Sequence, residues 1–378
     1  MKHTGIVGVA LVAAALSLPS TTRANEFLRP EIARIATSIK KILDSRGVES
    51  IAVGQFSGPA GHLTNYGPGI EDLLGQELRK QKINVDAKAG FKVQGQFVKG
   101  LVKDATRPSD LMLLKLIFSV YDRAGEPITD LTLRVEVRDN AELAKILGAT
   151  GPVGPKGDAY QRNQELQKNL GGKAARIDGS KVFASAASPF AVEILVKPKV
   201  NAKATPRVPR YEGNDLFVDI QRDEIYEVHL HNTSHLEAAI TLDIDGLSVF
   251  TFSELRNLKT GGPRYRHFIL PPKSVTPILG WHKRNEAPDN FLSFLVTEYG
   301  KGASQRAPQP SGKVGVITVT FAYAWQGPKP PEEERGTQDH GNETGFGPPV
   351  SQEVQEVERQ IGIVRDVVTI RYARPLLP

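Results

Sequence analysis

Three of the eight histidines fall within seven positions, His229, His231 and His235 in HLHNTSH. In a strand, an H-x-H pair puts both imidazoles on one face. Neutral imidazole is a common metal ligand, so a third histidine close by would complete a trigonal site. Two features oppose that chemistry. Asn232-Thr233-Ser234 reads as a turn that carries His235 away, and no neighbouring carboxylate completes a ligand shell. The group therefore reads as surface or structural histidines, with a metal-dependent hydrolase centred on His229 and His231 as a third-ranked alternative. Asp243-Ile244-Asp245-Gly246 places two carboxylates on one strand face, a pattern that serves glycosidic acid/base work or calcium binding. The following LSVFTF supplies no further oxygen ligands, so an Asp-Gly turn explains the pair more simply.

Nucleophilic chemistry has less support. The chain has no cysteine and no G-x-S-x-G elbow, and SGPAG and GPG lack the Lys-Ser/Thr ending of a phosphate-binding loop. The chain thus reads as a non-enzyme that uses no cofactor. Trp281, Tyr323 and Trp325 are the large aromatics of the second half, with Phe321 on the same strand face as Tyr323 and Trp325. Core packing is the default for such a stripe, and an interaction platform is the alternative. Asn232 and Asn342 begin glycosylation sequons.

The amino terminus has the three regions of a secretory leader in order. Lys2 and His3 precede the uncharged run GIVGVALVAAALSL, Pro19 breaks it, and Thr22 and Ala24 are small residues suited to a cut after Ala24. The run from Gly5 to Leu18 is shorter than the ~20 residues of a spanning helix. Later segments are no better suited to a membrane. The expected location is periplasmic or secreted, with no disulfide and no lipid anchor, because no cysteine is present. Removing residues 1–24 leaves 46 basic against 42 acidic residues, interspersed rather than clustered, which argues against nucleic acid as a partner.

The elements that must position these residues divide at a Pro- and Lys-rich stretch, KPKVNAKATPRVPR. Before it, residues 25–197 read as an α/β domain with a mixed sheet and a core over 28–137. Helices are expected over 30–46 and 70–81, and strands over 50–56, 83–85, 91–98, 111–121 and 131–137. Four Gly-X-Y triplets from Gly148 read as a loop, and 182–196 as a strand completing the first sheet. After a linker at 198–210, short alternating runs over 211–326 read as an all-β sandwich. Residues 327–350 read as a disordered or long loop, and 351–378 as a tail with a final strand that returns to one of the two domains. The fold class expected is α+β.

Two resemblances follow from these runs. EIARIATSIKKIL, SIAVGQF, GPGIEDLLGQELRKQ and LIFSVYDRAGEPI resemble the envelope α/β domain of the TolB amino-terminal region, curli-channel lipoproteins and penicillin-binding-protein activator lipoproteins. That likeness implies an assembly or interaction module, although the lipid-attachment cysteine is missing here. From Tyr226 with Asn232, through Ile244–Leu247 and Pro272–Trp281, to Gly315–Val319, the second half resembles an uncharacterised β-domain of exported bacterial proteins. The combined expectation is an exported scaffolding protein that binds an envelope protein or polymer. The alternative is a ligand- or glycan-binding protein using the β-domain.

Overall fold

A computed structural model describes residues 11–15, 23–57, 67–101, 112–137, 140–154, 173–199, 201–213, 215–258, 260–286, 290–298, 301–306, 315–334, 341–345 and 355–372. Strand accounts for 47% and helix for 14%, so the chain is mostly β, with three sheets. It forms two compact units, one built mainly from residues 19–148 and the other from 149–307 and 317–373, which also includes residues 1–18. Strand β1 (Leu11–Ala15) thus belongs to the second unit.

The first unit runs through helix α1 (Arg23–Asp44), strand β2 (Ser50–Ser57), helix α2 (Gly67–Lys80), strands β3 (Asn84–Val85), β4 (Lys92–Leu101), β5 (Met112–Tyr121) and β6 (Pro127–Val137), and helix α3 (Asn140–Leu147). The sheet order is β3-β2-β4-β5-β6, with β2 parallel to β3 and β4 and the rest antiparallel. Helix α1 buries Ile32, Ala36, Ile39 and Leu43, a three-to-four spacing that sets one apolar stripe inward. It begins at Arg23, earlier than expected, because Ala24, Glu26 and Leu28 favour helix and carry it through Pro30. The expected cut after Ala24 falls in its first turn. Gly47, in the left-handed region at φ 64°, ends the helix with its amide on the Asp44 carbonyl.

Along β5, Leu116, Phe118 and Val120 are buried, while the alternate Lys115, Ile117 and Ser119 are half-buried. Gly95 opposes Phe118, and the ring of Phe56 lies over it, 5.0 Å edge-on from Phe118. A Cβ at Gly95 would stand 2.3 Å from the Ile117 carbonyl oxygen and 2.4 Å from the Phe56 ring, so only glycine fits.

In the second unit the strands are β7 (Gly151–Pro152), β8 (Arg176–Asp178), β9 (Lys181–Phe183), β10 (Phe190–Lys197), β11 (Thr205–Pro206), β12 (Arg210–Glu212), β13 (Asp215–Phe217) and β14 (Ile225–Asn232). There follow β15 (Glu237–Ile244), β16 (Leu247–Ser248), β17 (His267–Leu270), β18 (Ser274–Ile278), β19 (Gly280–His282), β20 (Phe291–Leu295), β21 (Val316–Trp325), β22 (Gly341–Gly345) and β23 (Gln355–Arg371). One sheet has the order β12-β13-β23-β21-β15-β17 and continues through β1 and β22. The other has the order β19-β20-β14-β10-β9-β8, with β18 on β14 and β11 on β10. Alternate residues of both sheets, among them Tyr226, Val228 and Leu230, Ile240 and Leu242, and Val319 and Phe321, join one apolar cluster.

Three expectations about organisation change here. The strand expected to complete the first sheet, β10, pairs along its whole length with β14, so it belongs to the second unit. The expected linker is a connection inside that unit, with Thr205 and Pro206 paired to β10. In the expected long loop, Glu334 is fully buried in a short 3-10 turn (Glu332–Glu334), and Gly341–Gly345 is a strand. The final strand, β23, joins the second unit. The second triplet of the Gly-X-Y run opens with β7 on β23, and the run past Gly154 lies outside the described residues.

Candidate functional site: paired histidines and carboxylates on one sheet face

On β14 the core residues Tyr226, Val228 and Leu230 alternate with Glu227, His229 and His231, which therefore share the opposite face. The antiparallel register sets Glu193 of β10 opposite His229, Ala191 opposite His231 and Leu195 opposite Glu227. On its other side β14 meets β18, with Pro277 opposite His229 and Val275 opposite His231. Lys181 of β9 is opposite Glu193. The H-x-H pair thus lies on one face, as its spacing requires.

Each imidazole already has a carboxylate. His229 Nε2 is 3.1 Å from Glu227 Oε2, and His231 Nε2 is 3.0 Å from Glu193 Oε2. Lys197 Nζ donates to Glu227 Oε1 at 2.6 Å, and the Ser180 hydroxyl donates to Glu193 Oε1. The four side chains retain only 11–21% of their exposure.

This packing sets their protonation. The hydrogen bond from His229 is the main influence holding the Glu227 carboxyl below the usual range, against burial and with help from Lys197. Burial pushes the Glu193 carboxyl up, but hydrogen bonds from Ser180 and His231 outweigh it, so it too stays low. Burial lowers His231, against the pull of Glu193, so near neutral pH a neutral imidazole faces a carboxylate and donates its N–H.

That geometry does not activate a nucleophile. A serine relay needs the hydroxyl to donate to imidazole, with the carboxylate behind it. Here Ser180 donates to the carboxylate, the reverse order. His235 lies elsewhere: it is 72% exposed, with Nε2 3.1 Å from Glu333. Among the described residues no group of three or more His, Cys, Asp or Glu is arranged to hold a metal ion. The structure therefore does not bring His229, His231 and His235 together as one site.

The other motif residues are parts of the scaffold. Asp245 (φ 52°) and Gly246 (φ 73°) form a two-residue turn between β15 and β16, the left-handed pair of an Asp-Gly hairpin. Asp245 accepts a hydrogen bond from Tyr372 at 2.7 Å. Asn232, 1% exposed, donates from Nδ2 to the carbonyls of Leu236, Leu270 and Pro271, and its Oδ1 accepts from Ser234. Its amide is therefore committed to the fold, whereas the side chain of Asn342 lies outside the described residues.

Trp281 packs edge-on against Phe252 and Phe294, at 5.2 and 5.5 Å. Phe321 stacks on Phe190 at 4.9 Å, with Tyr323 edge-on to the same ring. Trp281 and Trp325 are both buried and Tyr323 is half-buried. The stripe is packing.

Two buried titratable groups were missed in the sequence. His282, fully buried, sits against the rings of Phe250, Tyr265 and Phe291, with Nδ1 3.1 Å from Ser253 and Nε2 3.2 Å from Asn285. Burial lowers it to about 4, so it is neutral throughout the physiological range. Asp366, 5% exposed, accepts a 2.7 Å hydrogen bond from Ser188, and burial raises it to about 6. In the first unit, burial similarly raises Glu71 to about 7, against a hydrogen bond from the Phe56 backbone.

Among the described residues no helix is long and apolar enough to cross a membrane. The chain matches no protein-family model and no curated protein.

Proposed function

We propose that this chain is an exported, non-enzymatic interaction protein of the bacterial cell envelope, in which an α/β unit precedes a β-sandwich. One observation carries the non-enzymatic reading. In the group Glu193, Glu227, His229 and His231, each imidazole is matched to a carboxylate, and the carboxylates are tied in turn to Lys197 and Ser180. A catalytic base needs its proton-accepting nitrogen aimed at substrate or nucleophile. Here the nitrogen turned to each carboxylate serves as the N–H donor, and among the described residues no hydroxyl donates to the other nitrogen of either ring, the only serine of the group donating to Glu193 instead. The leader-like amino terminus supports export.

The glycan-binding alternative relied on exposed aromatics. Trp281 and Trp325 are inside, so no observation favours it. The direct test is affinity capture from envelope extracts under mild crosslinking. A reproducible protein partner is expected, retained by the His229→Gln/His231→Gln variant. Absence of any partner above background, or hydrolase activity that this variant loses, refutes the proposal.

A further inference from the structure

Strand β1 lies within the stretch that the export reading removes, and it occupies a defined place in the second unit. Leu11, Val12 and Ala13 pair antiparallel with Ile269, Phe268 and His267 of β17. Leu11 and Val12 also pair parallel with Gln355 and Glu356 of β23, and Ala14 and Ala15 pair antiparallel with Thr344 and Glu343 of β22. Leu11 and Val12 are therefore paired on both sides, Ala13 with β17 alone, and Ala14 and Ala15 with β22 alone, so the strand runs between β17 and the β22–β23 hairpin. Their removal leaves a slot one strand wide, about 9–10 Å between the flanking strands, since neighbouring strands lie about 4.8 Å apart.

The slot is chemically specific. On its far side β17 pairs with β15 through Phe268, Ile269 and Leu270, all fully buried, so it is a core strand that becomes an edge once β1 leaves. Such an edge has a row of unpaired N–H and C=O groups, the template used in strand addition. The segment seated there, LVAAA, has no charge and no proline. Beside it lies a second apolar cluster of Ala239, Ile269, Ala322 and Ala324, closed by Ile361.

We propose that, in the processed chain, the slot between β17 and the β22–β23 hairpin accepts an extended, uncharged apolar strand of a partner polypeptide, a place that the leader holds until it is removed. This rests on the export reading, and it gives the interaction protein a named docking site.

The test uses the processed protein recovered from the envelope of a bacterial host, its amino terminus established by intact mass. A peptide spanning residues 9–17 with solubilising lysines at each end is titrated in, alongside the same peptide carrying Val12→Pro. Hydrogen exchange is followed at His267–Leu270 and Gln355–Glu356. The expected result is saturable binding with slowed exchange at both segments, weakened at least about tenfold by the proline, which removes a donor and clashes with a paired strand. If the exported protein retains residues 1–24, the export reading falls and the slot, still filled, falls with it. If it is processed but the peptide fails to bind, or the proline peptide binds equally well, the slot proposal falls and the export reading stands. A processed chain that dimerises through β17 and refuses the peptide also overturns the proposal, because a second copy is then the occupant.

Discussion

Replacing Asp366 with asparagine should stabilise the second unit at neutral pH. Asp366 shares its strand face with Val368 and Ile370 of the core, and the Ser188 hydroxyl is its hydrogen-bond partner. Arg365, whose charge favours the ionised acid, points to Glu334 instead, with Nη2 2.8 Å from its carboxylate. The raised value means that the folded state favours the protonated acid. Between the unfolded value of 3.8 and about 6 the native chain holds a proton that the unfolded chain has released, so stability falls as pH rises through this window. At 1.36 kcal/mol per pKa unit the loss is on the order of 3 kcal/mol above pH 6. Asparagine keeps the shape and removes the charge. Asp366→Asn should then be more stable than wild type by up to about 3 kcal/mol at pH 8, or roughly 6–12 °C in Tm, and equal to it below pH 3.5. The chain's two tryptophans, Trp281 and Trp325, both lie in the second unit, so urea unfolding followed by selectively excited tryptophan fluorescence reports that unit. A variant less stable than wild type at pH 8, or a difference that does not change with pH, would refute the reasoning.

His282 has the opposite slope: with its value lowered from 6.5 to about 4, stability is lost as pH falls through that range, by about 3 kcal/mol. Wild type should therefore be nearly flat between pH 4 and 6, and Asp366→Asn should uncover stability that rises with pH, lost again in the His282→Gln double variant. Gly95→Ala should destabilise the first unit by about 1–3 kcal/mol, read by far-UV circular dichroism and proteolysis, because its Cβ meets Phe56 and a backbone oxygen. Glu193→Gln should move the His231 midpoint further down, followed by NMR, since the carboxylate is what opposes burial there. Asn232→Ala should cost about 2–3 kcal/mol by stranding the Leu236, Leu270 and Pro271 carbonyls, and secretion from a eukaryotic host should leave Asn232 unglycosylated by mass spectrometry.

Where the sequence could be read, one short pattern decided the matter. Ile32, Ile35 and Ile39 at helical spacing mark α1, alternation marks β4, β14 and β21, and Asp245-Gly246 marks a hairpin that forms with both residues left-handed. Alternation also placed His229 and His231 on one face. Their partners were only half legible. Glu227 sits two residues before His229 in E-x-H-x-H, but Glu193 arrives through pairing with a strand more than thirty residues earlier, and register is a tertiary fact. For the same reason β10 was assigned to the wrong unit, because a buried strand carries no mark of its neighbours. Asp366 and Glu334 were invisible: a carboxylate in a polar stretch reads as solvated unless the residue packed over it is known.

Both hidden carboxylates bear on β23, Asp366 within it and Glu334 through Arg365, and this has a physical logic. At seventeen residues it is the longest strand among those described, and without cysteine no disulfide fixes its position. A slip of one residue would turn Val368 and Ile370 outward. Arg359 clasps Glu237, Arg365 clasps Glu334 directly over Gly362, Asp366 meets Ser188, and Arg371 meets Asp215 at 3.2 Å. Thr369 adds a reciprocal pair, its amide donating to the Thr150 hydroxyl and its carbonyl accepting from it. Buried ion pairs add little net stability against apolar substitutes, but losing one partner leaves a stranded charge costing about 3–5 kcal/mol. The three ion pairs therefore act mainly against wrong registers, in which all of them would be broken at once. Gly362 completes the device, because a Cβ there would stand 2.4 Å from the Glu334 carboxyl carbon and push that carboxylate off Arg365.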